Sequence, residues 1–212
     1  GEVASSMAID AIVESYRNKM LNADFDADAE ERGVEADELI RERLVDAIQS
    51  ANRAVFEAAS EDEEREDMGT TIVSGYFIDN EVYLAHIGDS RVYRLRDGEF
   101  EQRTNDHSLA NEYVEMGILA ADDVEYFPYK NVITRACGLD NEVDIEINSE
   151  DVQSGDIYLF CSDGLTDMVN DEKIRETLMA SEDLDATCET LVQYANENGG
   201  EDNITVILAE IQ

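Results

Sequence analysis

The 212 residues predict a layered α+β fold, mainly antiparallel strands with helices packed outside them. Three observations carry that expectation. The first 60 residues hold two amphipathic helical stretches. The pattern then switches to short β-branched and aromatic runs joined by tight turns. Three of those runs, Glu81–Ile87, Ile157–Cys161 and Ile204–Ile211, are apolar enough to need cover on both faces. Two sheets packed face to face with helices outside each would supply the cover, and one sheet with helices on both faces is the alternative. Strict strand–helix–strand alternation is absent, which argues against a doubly wound fold.

Each element follows from its pattern. From residue 2 to about 21, Ala4, Ala8, Ile12, Tyr16 and Met20 form one stripe of a helix. Residues 22–37 are acidic and broken by Gly33, so they read as a loop. Ile40, Leu44, Ala47, Ile48, Ala51 and Val55 repeat at three and four along a longer helix from Ala36 to about Ser60. The like charges of 61–67 suit an exposed connection. Thr70–Ile78, Glu81–Ile87, Arg91–Arg96 and Glu99–Thr104 read as four strands of one meander, with Asp79-Asn80 and Asp97-Gly98 as turns. Leu109, Tyr113, Met116 and Leu119 allow a short helix. Val143, Ile145 and Ile147 alternate with acids as a half-buried strand. Helices are expected near 171–180 and 184–197. No repeat or flexible linker divides the chain, so residues 1–212 are expected to form a single domain.

Composition limits the function. Fifty-two acidic residues against 15 basic ones give a net charge of −37, which excludes nucleic-acid or anionic-membrane binding through bulk electrostatics. The lysine-poor, acidic composition is what a salt-rich cytosol would select. No apolar run is long enough to cross a membrane, and no signal peptide is visible. Cys137, Cys161 and Cys188 lack disulfide or zinc spacing, so a reducing cytoplasm is the expected location. His86 and His107 are too few and too separate for a typical zinc cluster. His86 reads as a satisfied core residue and His107 as a cap or loop hydrogen bond, with partnership to a nucleophile as its other reading.

Three aspartates stand where a strand runs into a tight turn: Asp89 in Gly88-Asp89-Ser90, Asp163 in Ser162-Asp163-Gly164, and Asp202 in Gly200-Glu201-Asp202-Asn203. Carboxylates fixed at strand ends suit a hard divalent cation, because Mg²⁺ and Mn²⁺ prefer oxygen ligands. Each alone also fits a turn aspartate that satisfies local N–H groups.

Three stretches together resemble the metal-dependent serine/threonine protein phosphatases of type 2C, the PPM family, in their bacterial form. They are Ala85-His86-Ile87-Gly88-Asp89-Ser90-Arg91-Val92-Tyr93 with Asp106-His107-Ser108-Leu109, then Asn131-Val132-Ile133-Thr134-Arg135-Ala136-Cys137-Gly138. The third is Asp156–Cys161 running into Ser162-Asp163-Gly164-Leu165-Thr166-Asp167, with Gly200-Glu201-Asp202-Asn203-Ile204-Thr205 downstream. The resemblance covers nearly the whole chain. It implies a four-layer α–β–β–α sandwich and hydrolysis of phosphoserine or phosphothreonine in proteins by a water activated by Mn²⁺ or Mg²⁺. It implies Asp163 and Asp202 as ligands of a binuclear centre, Asp89 with Asp163 as holders of a further ion, and Asn203 behind them. Residues 119–129 match a flap near the substrate cleft. Phosphorylated proteins, opposing a serine/threonine kinase, are the implied partners.

The family's phosphate-gripping arginine, its Asp-Gly-Met-Gly-Gly-His stretch with the general-acid histidine, and two N-terminal strands find no match here and would lie before Gly1. The chain is therefore expected to be an N-terminally incomplete phosphatase domain. A non-catalytic phosphatase-like binding or regulatory module is the alternative.

Overall fold

The computed structural model describes residues 1–212 apart from Asn22, Glu63, Glu64 and Glu66. Three helices come first: α1 (Glu2–Lys19), α2 (Phe25–Arg32) and α3 (Ala36–Ser60). Four strands follow, β1 (Ile72–Ile78), β2 (Glu81–Ile87), β3 (Arg91–Arg96) and β4 (Glu99–Gln102). After α4 (Leu109–Glu115) and a 3₁₀ turn come β5 (Glu146–Asp151) and β6 (Ile157–Cys161). The short α5 (Asp163–Thr166), then α6 (Asp171–Met179), α7 (Leu184–Glu197) and β7 (Val206–Glu210) complete the order.

The strands form two antiparallel sheets, β1-β2-β5 and β4-β3-β6-β7. Three apolar layers bind them into the α–β–β–α sandwich. Ala4, Ala8, Ile48, Ala51 and Val55 of α1 and α3 pack on Ile72, Ala85 and Ile87. Val82 and Leu84 of one sheet meet Val92, Tyr158 and Phe160 of the other. Leu159, Cys161 and Tyr93 turn outward onto Ile174, Leu178 and Leu191 of α6 and α7. The side-chain alternation of a strand explains why consecutive apolar residues serve different layers. Gly75 keeps β1 close to the second sheet, since a Cβ there would lie 2.6 Å from Phe160 Cζ.

Four expectations need correction. The four early strands are not one meander. The chain leaves the first sheet after Ile87 and enters the second at Arg91, so β2 pairs with β5 and β3 with β6. Residues 22–37 are not wholly a loop, because 25–32 form α2. Asp24 caps its start by accepting from Ala27 N–H, and Gly33, at φ 70°, is the left-handed stop rather than a break. Phe25 and Ala29, one turn apart, are its buried face. The alternation at 143–147 begins before the strand. Val143 and Ile145 do pack on the core, but Gln49 holds the Val143 carbonyl and Asn52 those of Asp140 and Asn141, so pairing starts only at Glu146. Finally, the two histidines expected to lie apart are neighbours, as described below. The connection expected over 61–67 lies partly outside the described residues.

Among the described residues no helix is long and apolar enough to cross a membrane.

Candidate metal centre

Asp89 sits in the turn that carries the chain from one sheet to the other. Gly88 adopts φ 99°, and a Cβ on it would stand 2.4 Å from Thr71 Cγ2, so only glycine fits there. Thr71 and Ser90 join hydroxyls at 2.8 Å across the turn. Arg91, the next residue, forks onto Asp106 at 2.6–3.0 Å. The Asp89 carboxylate is thus carried on backbone fixed at both ends.

Asp163 and Asp202 are brought together by adjacent strands. β6 ends at Cys161 and β7 begins at Val206, its register partner. Ser162 stitches the two ends: its hydroxyl donates to the Asn203 carbonyl at 2.9 Å and accepts from Thr205 N–H at 3.0 Å. Gly164 permits this approach, since a Cβ there would lie 2.4 Å from the Asn203 oxygen. Asp163 Oδ1 accepts from Gly164 N–H at 2.8 Å, and Asp202 Oδ1 accepts from Asn203 N–H at 2.6 Å. Each carboxylate keeps its second oxygen free of these bonds.

The charges report the crowding. Burial pushes the Asp89 carboxyl up to about 6, and the Asp163 charge adds to that. Burial also raises Asp163; the Gly164 N–H opposes this, while the charges of Asp202 and Asp167 reinforce it. Asp89 and Asp163, half-buried and each pushed up further by a neighbouring carboxylate, mark a site crowded with negative charge, and their hard oxygen donors fit Mg²⁺ or Mn²⁺. Asp163 and Asp202 border a groove of about 840 Å³ whose walls are the apolar faces of α1, β1 and β7. No lysine or arginine lines that groove among the described residues.

A second cluster lies just inside this turn. His86, on β2, stands opposite Glu146 on β5, and the His107 ring stacks on it with centroids 4.6 Å apart. Donor atoms of His86, His107 and Glu146 fall within 4.8 Å of one another. The partners of the two rings are nevertheless wrong for a metal. A ligating histidine donates its other ring N–H to an acceptor, whereas His107 Nδ1 itself accepts from Gly88 N–H at 3.1 Å. Near-parallel rings, 17° apart, also aim their lone pairs side by side rather than at one point. The Gly88 bond suits a neutral His107 imidazole. His86 is indeed a satisfied core residue, with Nε2 against the Asn105 carbonyl at 2.8 Å, and His107 makes the expected loop hydrogen bond. Glu146 gave no signal of its own in the sequence; its strand register with His86 spans 60 positions.

Burial disfavours the thiolate form at Cys161 and Cys137. Burial pushes Cys161 up to about 12, only partly offset by Arg91, and Cys137 to about 11. The 3₁₀ turn Ala121–Tyr126 occupies the segment expected as a flap and leaves Tyr126 and Tyr129 exposed.

The family model for protein phosphatase 2C matches residues 1–209. Protein phosphatase PhpP of Streptococcus pneumoniae is 38% identical over 172 residues, covering 81% of this chain and 70% of that protein. The serine/threonine phosphatase PstP/Ppp of Mycobacterium tuberculosis superposes with a TM-score of 0.84 at 33% identity, covering all of this chain and 82% of that one. The catalytic domain of PstP in complex with two manganese ions gives a TM-score of 0.81 at 32% identity, with the same coverage of both chains. The chain belongs to the protein phosphatase 2C family, whose bacterial members here are named as a protein phosphatase and a serine/threonine phosphatase.

Proposed function

We propose that this protein removes phosphate from phosphoserine and phosphothreonine in proteins through a divalent metal centre, with Asp163, Asp202 and Asp89 as ligands and Asn203 behind them. The observation that carries this reading is the gathering of three carboxylates at one end of the sandwich, at the cost of raised pKa values for two of them. When bound, Mn²⁺ or Mg²⁺ supplies an activated water and neutralises charge on the phosphoryl oxygens.

The chain's own residues do the rest. Asp163, held by Gly164 N–H through Oδ1, would bind the ion through its other oxygen, with Asp89 and Asp202 close enough to act on its site electrostatically. The Ser162–Asn203 stitch sets the spacing of Asp163 and Asp202. The Thr71–Ser90 hydroxyl pair keeps the Asp89 turn against the end of β1. The partner class is phosphorylated protein, opposing a serine/threonine kinase. We place the protein in the cytoplasm and residues 1–212 in a single domain.

The test is phosphate release from a phosphothreonine peptide in high KCl, with and without Mn²⁺, beside Asp163→Ala. Mn²⁺-dependent turnover lost in the variant supports the reading. Peptide binding without turnover supports a non-catalytic module instead.

A further inference from the structure

We propose that His107 is a positioning residue for Asp89: its Nδ1 holds the Gly88 N–H and thereby fixes the turn that aims the Asp89 carboxylate. This rests on the reading of Asp89 as a metal ligand.

Gly88 and His107 are joined twice. Gly88 N–H donates to His107 Nδ1 at 3.1 Å, and His107 N–H donates to the Gly88 carbonyl at 3.0 Å. One residue therefore satisfies both polar groups that Gly88 brings to the crossover between the sheets. The first of these bonds dictates the tautomer. Nδ1 must carry a lone pair, so the ring proton sits on Nε2. Nε2 faces Glu146 Oε2 at 3.5 Å, and a carboxylate there favours that proton position. Arg135 Nη1, also 3.5 Å from Nε2, could donate only to an unprotonated Nε2, but at that length it yields to the 3.1 Å Gly88 bond, and its positive charge disfavours a second proton on the ring. Burial acts first in the same direction, and His86 and Arg135 add to it, so the ring stays neutral against the weaker upward pull of Glu146.

The ring is also held in direction. It stacks on His86, which is itself tied to the Asn105 carbonyl. The His107 carbonyl accepts from Thr134 N–H at 2.8 Å, so its backbone is anchored on the far side. His107 is 6% exposed and Gly88 is buried. Removing the Nδ1 acceptor would leave a buried N–H unpaired beside Asp89, and the turn would shift to find a partner.

Two substitutions separate this role from packing. His107→Leu keeps a comparable apolar volume without an acceptor. His107→Asn offers Oδ1 close to the position of Nδ1. We would measure Mn²⁺ binding by calorimetry, and Gly88 amide exchange by NMR, on the full chain beside Asp89→Asn. H107L should weaken, about tenfold, the Mn²⁺ binding that D89N removes, and speed Gly88 exchange by a similar factor, while H107N stays within about twofold of wild type.

Unchanged Mn²⁺ binding and unchanged Gly88 protection in H107L would overturn the proposal. So would an H107N variant as impaired as H107L. If D89N leaves Mn²⁺ binding intact, the ligand reading of Asp89 fails, while fast Gly88 exchange in H107L still supports the clamp. Should H107L fail to fold, a long-range proton–nitrogen spectrum of the wild type decides the matter. A proton on Nε2 supports the clamp, and a proton on Nδ1 refutes it.

Discussion

Arg96→Leu exposes how the second sheet is pinned to its first turn. Arg96, at the end of β3, forks onto Asp156, just before β6, with Nε to Oδ1 at 2.7 Å and Nη2 to Oδ2 at 2.5 Å. Asp156 is 1% exposed and also accepts from Gln153 N–H at 2.8 Å. Leucine would strand that carboxylate with one backbone donor. Breaking a buried pair from one side costs roughly 3–5 kcal/mol; with the Gln153 bond retained, we expect about 3 kcal/mol. For a chain of this size that is roughly a 9 °C fall in Tm.

The pH dependence has a definite sign. Burial pushes the Asp156 carboxyl up, but the Arg96 guanidinium and the Gln153 N–H outweigh it and hold the carboxyl below its usual value. A depressed carboxyl contributes stability that is fully present above its unfolded value, near pH 4, and is lost as pH falls through the folded one. The deficit of R96L should therefore be full at pH 7 and shrink below about pH 5, as the unpaired carboxyl takes up a proton. Urea unfolding followed by circular dichroism across that range, in molar KCl, measures it. A deficit under about 1 kcal/mol, or one independent of pH, would mean that the pair behaves as an exposed one and does not pin the sheet.

Three further outcomes are expected. Gly164→Ala drives a Cβ against the Asn203 carbonyl, so it should cost about 2 kcal/mol and weaken Mn²⁺ binding more than its Tm change implies; calorimetry beside thermal melting checks both. Leu159→Ala, fully buried in the central strand β6, should cost about 3 kcal/mol in urea unfolding, and a loss below about 1 kcal/mol would contradict the packing described. With a net charge of −37, the fold should lose helical circular dichroism on dilution from molar KCl, since screening over ~3 Å lengthens to ~10 Å near 0.1 M; a salt-independent spectrum would count against that.

Much of the fold was legible because burial leaves periodic marks. The stripe from Ile40 to Val55 and the run Ile157–Cys161 announced a helix and a central strand directly. Helix α2 was hidden because only Phe25 and Ala29 are buried among acids, and its terminal glycine resembles a loop residue. The switch of sheets at Gly88 was hidden because a short turn after an apolar strand reads the same whether the chain doubles back or crosses over. Asp89, Asp163 and Asp202 were visible as strand-end carboxylates. The contact of His107 with Gly88 was not, since no local pattern encodes a bond between a ring nitrogen and a backbone amide 19 positions away.

The crossover at Gly88 also dictates an order of assembly. A chain emerging from the ribosome and ending near residue 140 holds two hairpins, β1–β2 and β3–β4, joined by that turn, and neither has yet met its third strand. A hairpin alone is marginal in water. Both sheets close only when β5 and β6 arrive from more than 50 residues downstream, so loop-closure entropy for the two layers must be met almost together. Folding should thus be slow and late, with the long helix α3 the element best able to form ahead of the sheets it covers.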